Sequence, residues 1–202
     1  MPTFVTLGPE GTCHERAVRN YARFQGLGDE DFEVDFITDF FDGLDQIRGR
    51  DDAFLVQCSA HPGVHEITEK HCDEVFVVDT FIYPTKSLAI LSRRDLDGPP
   101  RSIGIVEATE GYVDLSDWEV KVPQISKPLA AEGLLRGDFD AALTHLEHLA
   151  LHPDELKLDR EIGEVDTTWV VYGTTKRFSG EVIGIPSPEL YRRPATAAGT
   201  RA

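Results

Sequence analysis

An apolar run, Thr3-Phe4-Val5-Thr6-Leu7, passes through Gly8-Pro9-Glu10-Gly11-Thr12 into a helical pattern that extends from Cys13 to about Phe24. The run has the length and composition of a short strand. A glycine-bearing turn between a strand and a helix leaves backbone N–H groups pointing outward, and the helix start adds partial positive charge to them. Such a junction binds a carboxylate or phosphate without a lysine or arginine. The same pattern also serves as a plain connection. Thr12 is placed to cap the helix, and Glu15 completes a capping box.

The switch from strand to helix recurs. Phe32 to Ile37 alternates as a strand, and Thr38 or Asp39 can cap a helix to about Ile47 with Phe40, Phe41, Leu44 and Ile47 at helical spacing. Ala53 to Val56 reads as a buried strand followed by a loop from Gln57 to His61, and Glu74 to Ile82 and Leu88 to Leu91 read as further strands. Ile103 to Val106 and Trp118 to Val122 are strands, and Pro128 to Leu135 is a helix with its proline in the first turn. Asp140 to Thr144 is a short strand, His145 to Leu151 a helical turn or two stopped by Pro153, and Thr167 to Tyr172 the last strand. The alternation predicts an α/β fold with mainly parallel sheets. The strand-rich middle, Val75 to Leu91, interrupts it as a crossing between two lobes would.

A formal net charge of −16 over 202 residues repels nucleic acids and anionic membranes, so neither is an expected partner. An anionic ligand must then be held by local dipoles and a few cations. Cys13, Cys58 and Cys72 suggest no disulfide framework, and no apolar stretch reaches the length of a membrane span. Met1-Pro2-Thr3 leads straight into the first strand, so a cytoplasmic location is expected. Cys58, His61, His65, His71 and Cys72 crowd together at spacings that fit no zinc motif, and His145, His148 and His152 read as a solvated face. No metal site is expected.

The segment Leu7-Gly8-Pro9-Glu10-Gly11-Thr12 resembles the opening signature of the prephenate dehydratase family, a Gly-Pro-Glu-Gly-(Thr/Ser) turn after the first strand. The closer likeness is to a divergent branch, the short prephenate decarboxylases of bacilysin-type antibiotic pathways, and it extends from about Thr3 to about Gly173. The resemblance implies a two-lobed, periplasmic-binding-protein-like (type II) α/β fold with a ligand cleft between the lobes. Lobe one would be residues 1–82 plus 166–178 and lobe two residues 83–165, with residues 179–202 a loose C-terminal tail.

The later family motifs are altered. The Thr-Arg-Phe motif falls on Thr167-Thr168-Trp169, so Thr168 stands where the arginine that helps hold the diacid belongs. A slip of one residue would pair Thr168 with the family threonine instead, and Thr175-Lys176-Arg177-Phe178 is read as a decoy. The Asn-Ser-x-x-Gly motif appears as Ser59-Ala60 with Gly63 kept. In place of a Ser-His pair stand Glu107 and Glu110, two acids that would repel a diacid. Either they point away, or the ligand carries a positive group, or one of them moves a proton. Ser126-Lys127-Pro128 matches the family's Ser-Thr-x-x-Ala segment and puts a cation at a helix start, while Ala141-Ala142-Leu143-Thr144 matches an Ala-Leu-Thr segment of the decarboxylase-like branch.

The resemblance implies a cofactor-independent lyase that acts on prephenate or a close analogue, by decarboxylation without aromatisation in specialised metabolism. The alternatives are dehydration to an arylpyruvate and a non-catalytic small-acid binder. The candidate catalytic residues are Thr167, Thr168 and Glu107. Gly8, Glu10, Gly11, Thr12, Ser59, Ser126, Lys127 and Thr144 are the candidate substrate-binding residues. The expected partner is a small carboxylate substrate, with assembly as a homodimer left open.

Overall fold

The computed structural model describes residues 1–61 and 63–177. The tail expected over residues 179–202 lies outside the described residues. The first sheet contains β1 (Thr3–Leu7), β2 (Glu33–Ile37), β3 (Ala53–Cys58), β4 (Phe76–Pro84) and β10 (Asp166–Gly173), in the order β2-β1-β3-β10-β4. The second contains β5 (Leu88–Arg93), β6 (Ser102–Ile105), β7 (Val120–Pro123), β8 (Ala141–His145) and β9 (Leu156–Gly163), in the order β7-β6-β8-β5-β9. Five helices accompany them among the described residues: α1 (Cys13–Phe24), α2 (Phe40–Ile47), α3 (Val64–Lys70), α4 (Lys127–Arg136) and α5 (Glu147–Leu151).

Successive residues of β1 feed opposite layers, as the two-residue strand period requires. Phe4 packs with Ala17, Val18, Tyr21 and Ala22 of α1, whereas Val5 packs with Leu44 and Ile47 of α2. Both helices use the apolar stripe read from the sequence, and Asp39 caps α2 by accepting a hydrogen bond from Phe41 N at 2.7 Å. In the second lobe α4 lays Ala130 and Leu134 on Ala89, Leu91 and Ala142. That contact is close because small residues face Phe139. A Cβ on Gly104 or Gly133 would meet its ring at 2.3 Å or 2.7 Å. At the end of α4, Gly137 adopts φ 83°, the left-handed conformation that closes a helix without a side-chain penalty.

The sheets are mixed rather than mainly parallel. β1 runs parallel to β2 and β3, and β6 runs parallel to β7 and β8. β10 is antiparallel to β3 and β4, and β5 is antiparallel to β8 and β9. The antiparallel members are the strands beside the two chain crossings, which reverse direction as the chain leaves and re-enters the first sheet. Those crossings, Thr85–Ser87 and Glu164–Val165, are paired: Thr85 N donates to Val165 O at 2.9 Å and Val165 N donates to Thr85 Oγ1 at 3.0 Å. Arg16 reaches them from α1, with its guanidinium 5.4 Å from the Tyr83 ring centre and 3.3 Å from Glu164.

Candidate functional site

A cleft of about 330 Å³ opens between the sheets, beside this hinge. Its lobe-one wall is the β1–α1 junction, with Gly8, Thr12, Cys13 and His14, followed by Cys58, His61 and Trp169. Its lobe-two wall is the stretch after β6, with Val106, Glu107 and Tyr112, and the start of α4, with Ser126 and Lys127, closed at the back by His145.

The junction is built as a cap. Thr12 Oγ1 accepts from Glu15 N at 3.3 Å and donates to Leu7 O at 3.2 Å. Glu15 reaches back, but to Gly11 N at 2.7 Å rather than to the cap residue's own amide. Gly11 has φ 85°, which turns its amide toward that carboxylate. Gly8 N is held by Ile37 O at 2.9 Å. The glycine amides are therefore spent within the protein. Among the described residues, the N–H groups of Thr12, Cys13 and His14 have no acceptor, and these three residues line the cleft. The free donors thus lie one step further along the chain than the glycines suggested.

The second lobe offers a matching start. Ser126 Oγ accepts from Leu129 N at 3.3 Å and caps α4, while Pro128 occupies the first turn. The two helix starts approach closely, since a methyl group on Gly11 would lie 3.9 Å from Pro128 Cγ. Between them is Lys127, half-buried and without an ion-pair partner among the described residues. Burial holds its ammonium below the usual lysine range, and the sulfurs of Cys13 and Cys58 work in the opposite direction.

Three histidines surround this cation. Burial, with Lys127 and His61 adding to it, pushes His14 down to about 3, and its ring stands edge-on to Trp169 at 5.0 Å. Burial, then Lys127 and Lys86, pushes His145 down to about 2. Burial likewise lowers His61, whose Nδ1 accepts from Gly63 N at 3.1 Å. All three are neutral at physiological pH, so lysine carries the positive charge of the cleft. His145, Glu147 and His148 bring metal-ligating atoms within 4.8 Å of one another, but Lys86 Nζ already holds Glu147 at 2.7 Å and supplies a cation there.

Of the residues named from the sequence, Gly8, Thr12, Glu107, Ser126 and Lys127 come together around the cleft. Glu107 is exposed at its rim, whereas Glu110 turns to Lys121 at 3.4 Å. Glu10 is exposed outside the cleft, and Gly11 faces Glu15. Thr144 Oγ1 donates to Lys127 O at 2.6 Å, so it fixes the start of α4 instead of meeting a ligand. Thr167 Oγ1 lies 3.3 Å from Cys58 Sγ, one residue behind the wall. Thr168 is exposed and hydrogen-bonded to Ser59, away from the cleft. Strand alternation explains this: Trp169 of β10 fills the cleft-side layer, so Thr168 must face the other way.

Cys13, His14 and Tyr112 line the cleft without having been singled out in the sequence. His61, considered there only as a zinc ligand, joins them, and so does His145, which is buried at 1% exposure rather than part of a solvated face. Cys13 and His14 follow the cap residue directly, and that position was the available signal. His145 ends β8, and its partner Cys13 is 132 residues away in sequence, so no local pattern links them.

No family model matches the chain, and no curated protein sequence matches it. Solved structures do. Prephenate dehydratase from Arthrobacter aurescens superposes with a TM-score of 0.60 at 18% identity, over 89% of this chain and 63% of that one. Prephenate dehydratase from Staphylococcus aureus gives 0.59 at 15% identity, over 89% and 68%. A periplasmic VFT2 domain of Bordetella pertussis BvgS gives 0.53 at 12% identity, over 86% and 80%. This chain therefore spans about three-fifths to four-fifths of the length of these neighbours. It has the two-lobed fold that prephenate dehydratases share with periplasmic-binding-protein-like domains.

Proposed function

We propose that the cleft holds a small organic acid and that the protein is a lyase acting on prephenate or a close analogue, removing carbon dioxide without aromatising the ring. The observation that carries the reading is the convergence of two helix starts and one unpaired lysine, from opposite lobes, on a single cleft. Free amides at a helix start and a half-buried ammonium both favour a carboxylate. They do so locally, against a net charge of −16.

Prephenate carries two carboxylates. In this reading the side-chain carboxylate lies on the amides of Thr12, Cys13 and His14 and is also drawn to Lys127. The ring, with its own carboxylate, lies against the apolar wall of Trp169, Val106 and Ile125. A carboxylate with poor solvation there leaves more readily as carbon dioxide. Its electron pair moves into the ring, and a donor at the rim delivers a proton to a distant ring carbon. Tyr112 is the lining group this reading uses as that donor, because burial raises it above its ordinary value and keeps it protonated. Dehydration is the weaker alternative, because Thr167 does not line the cleft and Thr168 brings no cation.

Incubation of the purified protein with prephenate at neutral pH tests the reading. Carbon dioxide with a non-aromatic keto acid supports it. Phenylpyruvate absorbance would make the protein a dehydratase. No turnover, together with a ligand-dependent rise in Tm, would make it a binder.

A further inference from the structure

Cys13 is the first residue of α1, and its side chain is not a passive part of the wall. Its Sγ lies 3.3 Å from His145 Nε2 on the opposite lobe, and the Lys86 backbone N–H donates to it from the hinge at 3.4 Å. Cys13 is 8% exposed and lines the cleft, while His145 is 1% exposed with Nδ1 unpartnered. A helix start, a backbone N–H donor and the cleft lysine Lys127 thus all stand around this sulfur. Cys58, in the same wall, has the Thr167 hydroxyl at 3.3 Å, and Cys72 is exposed.

The position of Cys13 also dictates what it can reach. An acid that accepts the amides of Thr12, Cys13 and His14 lies against the residue that carries the sulfur. The carbon next to its carboxylate is then beside Sγ. His145 Nδ1 has no hydrogen-bond partner among the described residues, and a proton on it leaves the Nε2 lone pair facing the thiol.

We propose that Cys13 and His145 form a nucleophilic pair that captures the carbonyl of a 2-oxo carboxylate in the cleft as a reversible thiohemiketal. This rests on the cleft binding an organic acid as proposed above. One C–S bond forms and the π bond of the carbonyl breaks. The proton leaves sulfur and ends on the former carbonyl oxygen, while His145 Nε2 accepts the S–H hydrogen bond that aims the thiol. Reversal returns every atom, and no oxidant or second substrate is consumed. The pair is assembled from both lobes, so it exists only while the cleft is closed.

The test compares phenylpyruvate with phenyllactate, which has a hydroxyl in place of the carbonyl, by calorimetry on the wild type and on Cys13→Ala, with Cys13→Ser in reserve should the alanine variant unfold. Iodoacetamide labelling of the wild type and His145→Gln, mapped by mass spectrometry, uses Cys72 as an internal reference. The oxo acid is expected to bind at least about tenfold tighter than the hydroxy acid in the wild type only, and Cys13 to react at least about tenfold faster than Cys72, slowing in His145→Gln. Equal affinities for the two acids would overturn the capture and leave acid binding intact. If neither acid binds, acid binding and the capture fall together. Cys13 labelling no faster than Cys72 would overturn the nucleophilic pair whatever the affinities.

Discussion

Each lobe aims the first turn of a helix at the cleft, and the two turns are finished differently. In α1, the buried Glu15 carboxylate takes Gly11 N at 2.7 Å and Arg19 Nε at 2.7 Å, so a negative charge from the same lobe faces the positive pole of the helix. In α4 the first turn contains no acid, Ser126 takes a single amide, and Lys127 adds a cation. Lobe one thus supplies fixed donors with little net charge, and lobe two supplies the charge. The cores follow the same division. Lobe one sets Trp169, Phe81 and Tyr21 in a stacked series, whereas lobe two brings its helix close over alanines and glycines around Phe139. A rigid wall faces a charged one, and the ligand must satisfy both.

The largest test of this contrast is Trp169→Ala. The side chain is fully buried and its Nε1 donates to Tyr83 O at 3.0 Å, so its removal is expected to cost about 3–5 kcal/mol in urea unfolding. A loss below about 1 kcal/mol would break the picture of lobe one as the rigid wall.

Acid comes next. His14 and His145 are held at about 3 and about 2 in the fold, against an ordinary value of 6.5. The unfolded chain therefore binds protons that the fold refuses. Stability from this source is complete above about pH 6.5 and falls as pH drops toward 3, with a slope of at most ~1.4 kcal/mol per unit for each histidine. His14→Asn should flatten the pH dependence of unfolding within that window. An unchanged slope would show that His14 is solvated.

Lys127→Met sharpens the division of charge. Removing the cation should weaken binding of a small acid by about 1.5–3 kcal/mol, or tenfold and more, and should reduce its salt dependence, both measurable by calorimetry. Glu15→Gln should act in the opposite sense, improving acid binding while lowering Tm. Equal effects from the two variants would erase the distinction between the lobes.

The smallest effects are at the caps. Thr12→Ala and Ser126→Ala should each cost about 1 kcal/mol in thermal unfolding. The first should cost more, because Thr12 also ties back to Leu7 O at 3.2 Å.

Much of the fold is legible in the sequence where one face of an element is buried. The β1–α1 junction, α2 and α4 all have apolar residues at helical spacing beside a capping residue. α3 is not legible, because Val64-His65-Glu66-Ile67-Thr68-Glu69-Lys70 buries Ile67 and presents a solvated surface elsewhere. β9 is missed for a related reason. It is an edge strand in which Leu156, Leu158 and Ile162 alternate with Lys157, Asp159 and Glu161, but Arg160 breaks the apolar series and Leu156 is its one buried residue. At the site, Lys127 and Thr12 are legible because their chemistry depends on a helix start. Thr144, Thr167 and Thr168 sit near the right place with side chains committed elsewhere, and a strand's facing depends on its neighbours. The contact between Cys13 and His145 exists only after two distant segments meet.

The paired crossings at Thr85–Ser87 and Glu164–Val165 carry one more consequence. Two short connectors laced by the Thr85 hydroxyl act as a single axle. Any swing about it that parts the jaws pulls an imidazole on one jaw from a sulfur on the other. The rate at which an alkylating reagent finds that sulfur then becomes a gauge of the angle between the jaws, readable with no label attached.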